Sequence, residues 1–288
     1  MLIQAQYCFT SSPIYRLQNP IFSRPLGVNV SQLNKARKTR FDRSKRWGMT
    51  VSASVEQSSR TNLEKKRKVV EHISLLKAKV DLSEEEENDM LDYLYTTQYQ
   101  MGGILSISLG RISNQNDDNY THAVYIRFQR KEELEKFYEK PFYLGVLKKH
   151  VLPYCHGLLN LDYESEVEDD ILPIFRKGEE FNYGVEFVLL ISFVDDAIGD
   201  IEEALASLQG LAMGFPSLIV QSTQGRNFNL ATKEYTHAVV TRFRSPEALE
   251  IFEGSSEYID MWRAKFEPII RRKLSVYFLV DPIGTELM

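Results

Sequence analysis

One five-residue string occurs twice in this chain. Tyr120-Thr121-His122-Ala123-Val124 returns as Tyr235-Thr236-His237-Ala238-Val239, 115 residues later. The same offset pairs Val70 with Val185, Glu71 with Glu186, Leu75 with Leu190, Gly110-Arg111 with Gly225-Arg226, and Asn114 with Asn229. It continues through Arg127-Phe128 and Arg242-Phe243, then Leu134 and Leu249, Phe137 and Phe252, Tyr143 and Tyr258, Pro153 and Pro268. A register held over that distance without a net gap is a duplicated unit. Beyond Pro268 the identities thin out, and the sequence predicts a drift of about four residues in the last element. The chain must therefore adopt a fold that works as a unit of about 100 residues and tolerates a copy of itself beside it.

The order of elements within the unit is readable. His72 to Val80 and Val185 to Val194 are short apolar runs rich in β-branched residues, which predicts strands. Ser83 followed by Glu86 is a capping box, so a helix starts there. Met90, Leu91, Leu94 and Tyr95 then share one helical face, as do Ile201, Leu205, Leu208 and Leu211 in the second copy. Gly102-Gly103 and Gly214 end these helices. Ile104 to Leu109 and Ser217 to Ser222 predict the next strands, and the repeated string the third pair. A second helix starts near Lys131 or Pro246, where proline is tolerated in a first turn. Leu158 to Tyr163 and Val276 to Val280 are the last strands. The order βαββαβ is the ferredoxin-like motif, an α+β fold. Each four-stranded antiparallel sheet has helices on one face and leaves the other bare. Two tandem units, 66–163 and 181–282, can bury those bare faces as one α/β barrel. Residues 164–180, with Glu164, Glu166, Glu168, Asp169 and Asp170, are expected to be an acidic linker.

Charge is unevenly distributed. Residues 1–53 carry nine Lys or Arg and one acid, Asp42, so the net −5 of the chain divides into +8 and −13. An acidic body is unsuited to phosphate backbones, which excludes nucleic acid as the expected partner. The leader is rich in hydroxyl and basic groups and lacks the apolar segment of a secretory signal. It is expected to be a transit peptide for the chloroplast, cleaved after Ala53, with mitochondrion or peroxisome as alternatives. The C-terminal Glu286-Leu287-Met288 is not a Ser-Lys-Leu type address. No apolar run approaches the roughly 18 residues of a membrane span, so no membrane partner is expected. Cys155 is the one thiol after the leader, read as a small hydrophobe.

Val70-Glu71-His72 with Lys77 forms a V-x-H-x-x-L-x-K first strand. Together with Gly110, the string at Tyr120–Val124 and the elbow at Pro141–Gly145, it resembles the stress-responsive dimeric α/β-barrel (Dabb) family. The resemblance covers residues 68–163 and 181–282 and identifies the chain as a tandem two-domain member. It implies a non-enzymatic stress- or defence-response barrel, paired within the chain or as a homodimer, with room for a small hydrophobic ligand. The alternative it implies is a polyketide cyclase- or isomerase-like enzyme with altered acid/base residues. Where olivetolic acid cyclase-type members carry a tyrosine, this chain has Phe137 and Phe252. Where they carry the elbow histidine it has Lys140 and Ser255, and where they carry the catalytic histidine it has Tyr143 and Tyr258. Aldol cyclisation needs a base and an oxyanion donor, and Phe137 can be neither. No catalytic residue is therefore assigned. His72, His122, Phe137 and Tyr143 are the expected pocket. In the second copy Phe187 replaces His72, and His237 is expected to be structural. His150 and His156 are expected at the surface. The resemblance also implies a magnesium ion held by main-chain carbonyls near Leu94–Met101 or Gln209–Phe215. No side-chain metal ligand and no other cofactor is assigned.

Overall fold

The computed structural model describes residues 66–168 and 184–280. The basic leader and residues 169–180 of the expected linker lie outside the described residues.

The first repeat runs β1 (Lys66–Ala78), α1 (Glu84–Gln100), β2 (Ile104–Arg111), β3 (His122–Phe128), α2 (Lys131–Glu139), α3 (Pro141–Val146) and β4 (Cys155–Glu168). The second runs β5 (Gly184–Phe193), α4 (Ile198–Met213), β6 (Ile219–Arg226), β7 (His237–Phe243), α5 (Pro246–Glu253), α6 (Ser256–Met261) and β8 (Ile270–Val280). The sheets are antiparallel, ordered β2-β3-β1-β4 and β6-β7-β5-β8, as the ferredoxin-like order requires. The capping box forms: Glu86 N–H donates to Ser83 Oγ and Ser83 N–H to the Glu86 carboxylate. The elbow helices α3 and α6 each wind into a π-helical turn, Leu147–Val151 and Trp262–Phe266.

Period two decides which side chains face where. From β1, Ile73 and Leu75 point away from the helices, with Tyr125, Leu161 and Tyr163 from the neighbouring strands. They pack against Val188, Leu190, Val240, Val276 and Phe278 of the second repeat in one continuous core. The bare sheet faces thus close on each other inside one chain. Val70, Leu76, Val124 and Ile126 point the other way, into a core shared with α1, α2 and α3. Gly110 and Gly225 lie where one repeat's second strand crosses the other's last. A Cβ on Gly225 would stand 2.6 Å from the Glu164 carbonyl oxygen, and one on Gly110 would stand 2.9 Å from that of Leu279. The repeated Gly-Arg is thus a close-approach point between backbones.

Three expectations need correction. The register does not drift after Pro268. Glu71 pairs with Tyr163 and Glu186 with Phe278, so the offset of 115 persists, and the bulges at Ala78 and Phe193 also match. Only the inward positions Leu159/Leu274, Leu161/Val276 and Tyr163/Phe278 are held, the first by identity and the other two by class. Next, β4 runs five residues into the expected linker. Glu164, Glu166 and Glu168 project outward while Ser165 and Val167 are buried. Lys68 lies opposite Glu166 and Lys66 opposite Glu168, so opposite charges stabilise the pairing that extends both strands. Last, the buried stripe of α4 is Ala204, Leu208 and Ala212, with Ile201, Leu205 and Leu211 at its flanks. Small side chains let this helix lie close on its sheet.

Candidate functional site

His72 and Ser74 stand on the helix-facing side of β1, and Asp162 on the same side of β4, where the register places it opposite His72. The Asp162 carboxylate accepts from His72 through Oδ1, 2.7 Å from Nδ1. Tyr138, on α2, donates its hydroxyl to Asp162 Oδ2 at 2.9 Å and lies 3.2 Å from His72 Nδ1. Ser74 Oγ lies 3.1 Å from His72 Nε2 and donates to Asn160 Oδ1. Asn229, from the second repeat, donates to Asp162 Oδ2 at 2.7 Å and to the Tyr138 hydroxyl at 3.1 Å. An aspartate thus orients one imidazole nitrogen, while the other lies against a serine whose single proton goes to Asn160. Burial, then the Asp162 charge, pushes the Tyr138 hydroxyl far above the usual tyrosine range, so it stays protonated, donating to Asp162 while it accepts from Asn229.

The expected pocket partly assembles here. Phe137 is fully buried, with its ring centroid 5.8 Å from that of His72 and 3.8 Å from that of Tyr143. Proline at the elbow starts α3 and turns Tyr143 inward. The space left among His72, Ser74, Leu94, Thr97, Tyr143 and Val151 is about 10 Å³, room for about one water molecule. Phe137 backs this space as core. Burial pushes the Tyr143 hydroxyl well above the usual range.

His122 is not part of it. It faces the same side of the sheet but pairs with Leu76, whereas His72 pairs with Ile126. Four strand positions, ~13 Å, separate them. His122 Nε2 lies 2.7 Å from Glu87 Oε1, Nδ1 lies 2.9 Å from Thr121 Oγ1, and Arg111 clamps Glu87 from the far side. The Arg111 guanidinium holds the Glu87 carboxyl below the usual carboxylate range. Burial pushes His122 down, with Glu87 pulling the other way. This cluster floors a separate open cleft of about 830 Å³. The single pocket expected from four residues is thus two places.

The second repeat has no counterpart. Phe187, Leu189 and Tyr277 occupy the positions of His72, Ser74 and Asp162, and Glu253 that of Tyr138. Phe252, Tyr258, Trp262 and Phe266 fill its helix side, Trp262 and Phe266 stacked at 4.6 Å. His237 packs on Phe193, and burial, then Arg226, pushes it down to about 4. His156 is exposed as expected, but His150 is half-buried, stacked on Tyr93 and held by Asp89 at 2.7 Å. Burial pushes the Cys155 thiol up to about 11, which keeps it unreactive. Neither magnesium segment carries an acidic side chain. In the second, the carbonyls of Gly210, Leu211, Ala212 and Phe215 accept backbone N–H groups at the helix end.

Sequence reasoning missed Asp162, Tyr138, Ser74 and Asn229. One signal was available for Asn229, its match with Asn114 across the repeat. The other was the charge of Asp162 on the helix-facing side of the predicted strand Leu158 to Tyr163.

Residues 70–165, which hold every first-repeat member of this network, match the family described as the stress responsive A/B barrel domain. The first repeat thus matches the stress responsive A/B barrel domain, and the chain as a whole is similar to proteins that carry it. This A/B barrel chain is 25% identical over 267 residues to a stress-response A/B barrel domain-containing protein of Arabidopsis thaliana. That match covers 91% of this chain and 94% of the relative. A candidate monooxygenase from Fusobacterium nucleatum superposes with TM-score 0.51 at 10% identity, covering 75% of this A/B barrel chain and 93% of its own. An anthrone oxidase-like protein does so with TM-score 0.50 at 10% identity, covering 74% and 91%. At such identities the likeness is one of fold, extending over both repeats.

Proposed function

We propose that this protein serves the stress response as a closed, non-catalytic α/β barrel. The observation that carries the reading is the space inside the first repeat beside His72, about 10 Å³, whereas small-molecule sites need roughly 300–1,000 Å³. The cleft of about 830 Å³ at His122 lies on the open surface, outside the barrel interior. Phe137 and Tyr143 fill the first repeat, and four aromatic rings fill the second. A small hydrophobic ligand would have to displace Tyr143 to enter.

A second reading, an acid/base enzyme acting on a small carbonyl compound, draws on one observation. The Asp162–His72 pair with the Tyr138 hydroxyl supplies an oriented base and a donor, the two groups an aldol or isomerisation step needs. Tyr138 would stand in for the hydroxyl that Phe137 lacks. The test is incubation of the protein with a linear tetraketide thioester beside His72→Ala. The non-catalytic reading expects both to give cyclised product only at the spontaneous rate. Product formed well above that rate, and lost in His72→Ala, would overturn it.

A further inference from the structure

The core between the two sheets is not wholly apolar. Glu71 pairs with Arg127 at 2.7 Å, and at the matched positions Glu186 pairs with Arg242, all four at most 2% exposed. Each pair reaches into the opposite repeat. Arg127 Nη2 donates to Gln221 Oε1 at 2.7 Å, and Ser108 Oγ donates to Glu186 Oε1 at 3.2 Å. At the rim, Arg272 of the second repeat binds Asp118 of the first at 2.5 Å, and the Tyr235 hydroxyl donates to the same carboxylate at 3.0 Å. The Asp162 amide donates to Asn227 Oδ1 at 3.2 Å.

Some of these contacts survive if a repeat is paired with a second copy of itself: the two Glu–Arg pairs lie within a repeat, and in a first–first pair Ser108 would meet Glu71 and Tyr120 would meet Asp118. The others are lost. The offset of 115 shows what each position would meet. In a first–first pair, Arg127 would face Ser106 in place of Gln221, too short to reach it. Asp118 would face Gly157 in place of Arg272, and the Asp162 amide would face Ile112 in place of Asn227. In a second–second pair, Lys233 would take the place of Asp118 and stand against Arg272, cation on cation. Buried groups left unpaired and like charges brought together are what reject a wrong partner.

We infer that the bare sheet face of the first repeat is a recognition surface for the second repeat and rejects another copy of itself, with Gln221, Asp118, Lys233 and Arg272 setting that choice. The consequence is one His72–Asp162 network per chain, completed in cis by Asn229.

The test uses the full chain with a protease site inserted within residues 169–183. After cleavage, the protein is mixed with a heavy-isotope preparation treated identically and followed by native mass spectrometry during exchange. The inference expects only first–second pairs, light and heavy in all combinations. First–first pairs, second–second pairs or free halves as the main species would each overturn it. In the Lys233→Asp variant, second–second pairs should appear beside the first–second pair. Their absence there would remove Lys233 from the assignment, and with it the charge argument.

Discussion

Replacing Arg127 with Met is expected to destabilise the barrel by about 3–5 kcal/mol, read as a lower midpoint of urea unfolding with an unchanged slope. Arg127 is fully buried, and its Nε and Nη2 groups both donate to Glu71. Without them the Glu71 carboxylate stays buried between the two sheets, with a 3.2 Å hydrogen bond from Ser165. Most of the loss is thus the uncompensated charge left behind. The double variant Glu71→Leu with Arg127→Met separates the two accounts. Removing both charges should recover most of the lost stability, because a buried pair stabilises little over apolar residues of similar volume. If the double variant were as unstable as the single one, the ion pair itself would be the source of the stability.

Phe137→Ala should have an effect of similar size, about 3–5 kcal/mol, for a different reason. The ring is fully buried among Phe128, Tyr138, Tyr143 and His72. Its removal takes away apolar burial and leaves a cavity beside the 10 Å³ space already there. Calorimetric unfolding with and without a small arene checks both halves. The variant should unfold at lower temperature and be partly restored by the arene, since apolar cavities of that kind bind such molecules. The unsubstituted protein should not respond to the arene. A stabilising response from it would mean that Tyr143 already moves aside, and would favour a ligand-binding barrel.

These two effects arise in parts of the molecule that the sequence reveals unequally. The duplication and the βαββαβ order are legible because they rest on local signals. A capping box, a β-branched run and a turn glycine act within a few residues of themselves. The inter-sheet core is legible too, since period two divides Ile73 and Leu75 from Val70 and Leu76. The extension of β4 was obscured because its outward residues are all acidic, although Ser165 and Val167 keep the alternation. Composition suggested solvent, while the basic start of β1 supplied the partners. The His72 network was hidden for another reason. Asp162 lies 90 residues from His72, and Asn229 lies 67 from Asp162, in the other repeat. Only the register of β1 on β4 and the crossing of the β6–β7 loop bring them together. The separation of His122 from His72 is likewise a matter of register. Both face the helices, but four positions apart on the sheet.

The bare sheet faces of the two repeats close on each other within one chain, so no second chain is needed to complete the barrel. Sedimentation equilibrium of the protein at micromolar concentration tests this most directly. The expected result is a single species at the mass of one chain, 33.4 kDa for the full sequence, unchanged on dilution. A species of twice the mass of one chain, or a mass that falls on dilution, would show sheet faces pairing between chains and would contradict it.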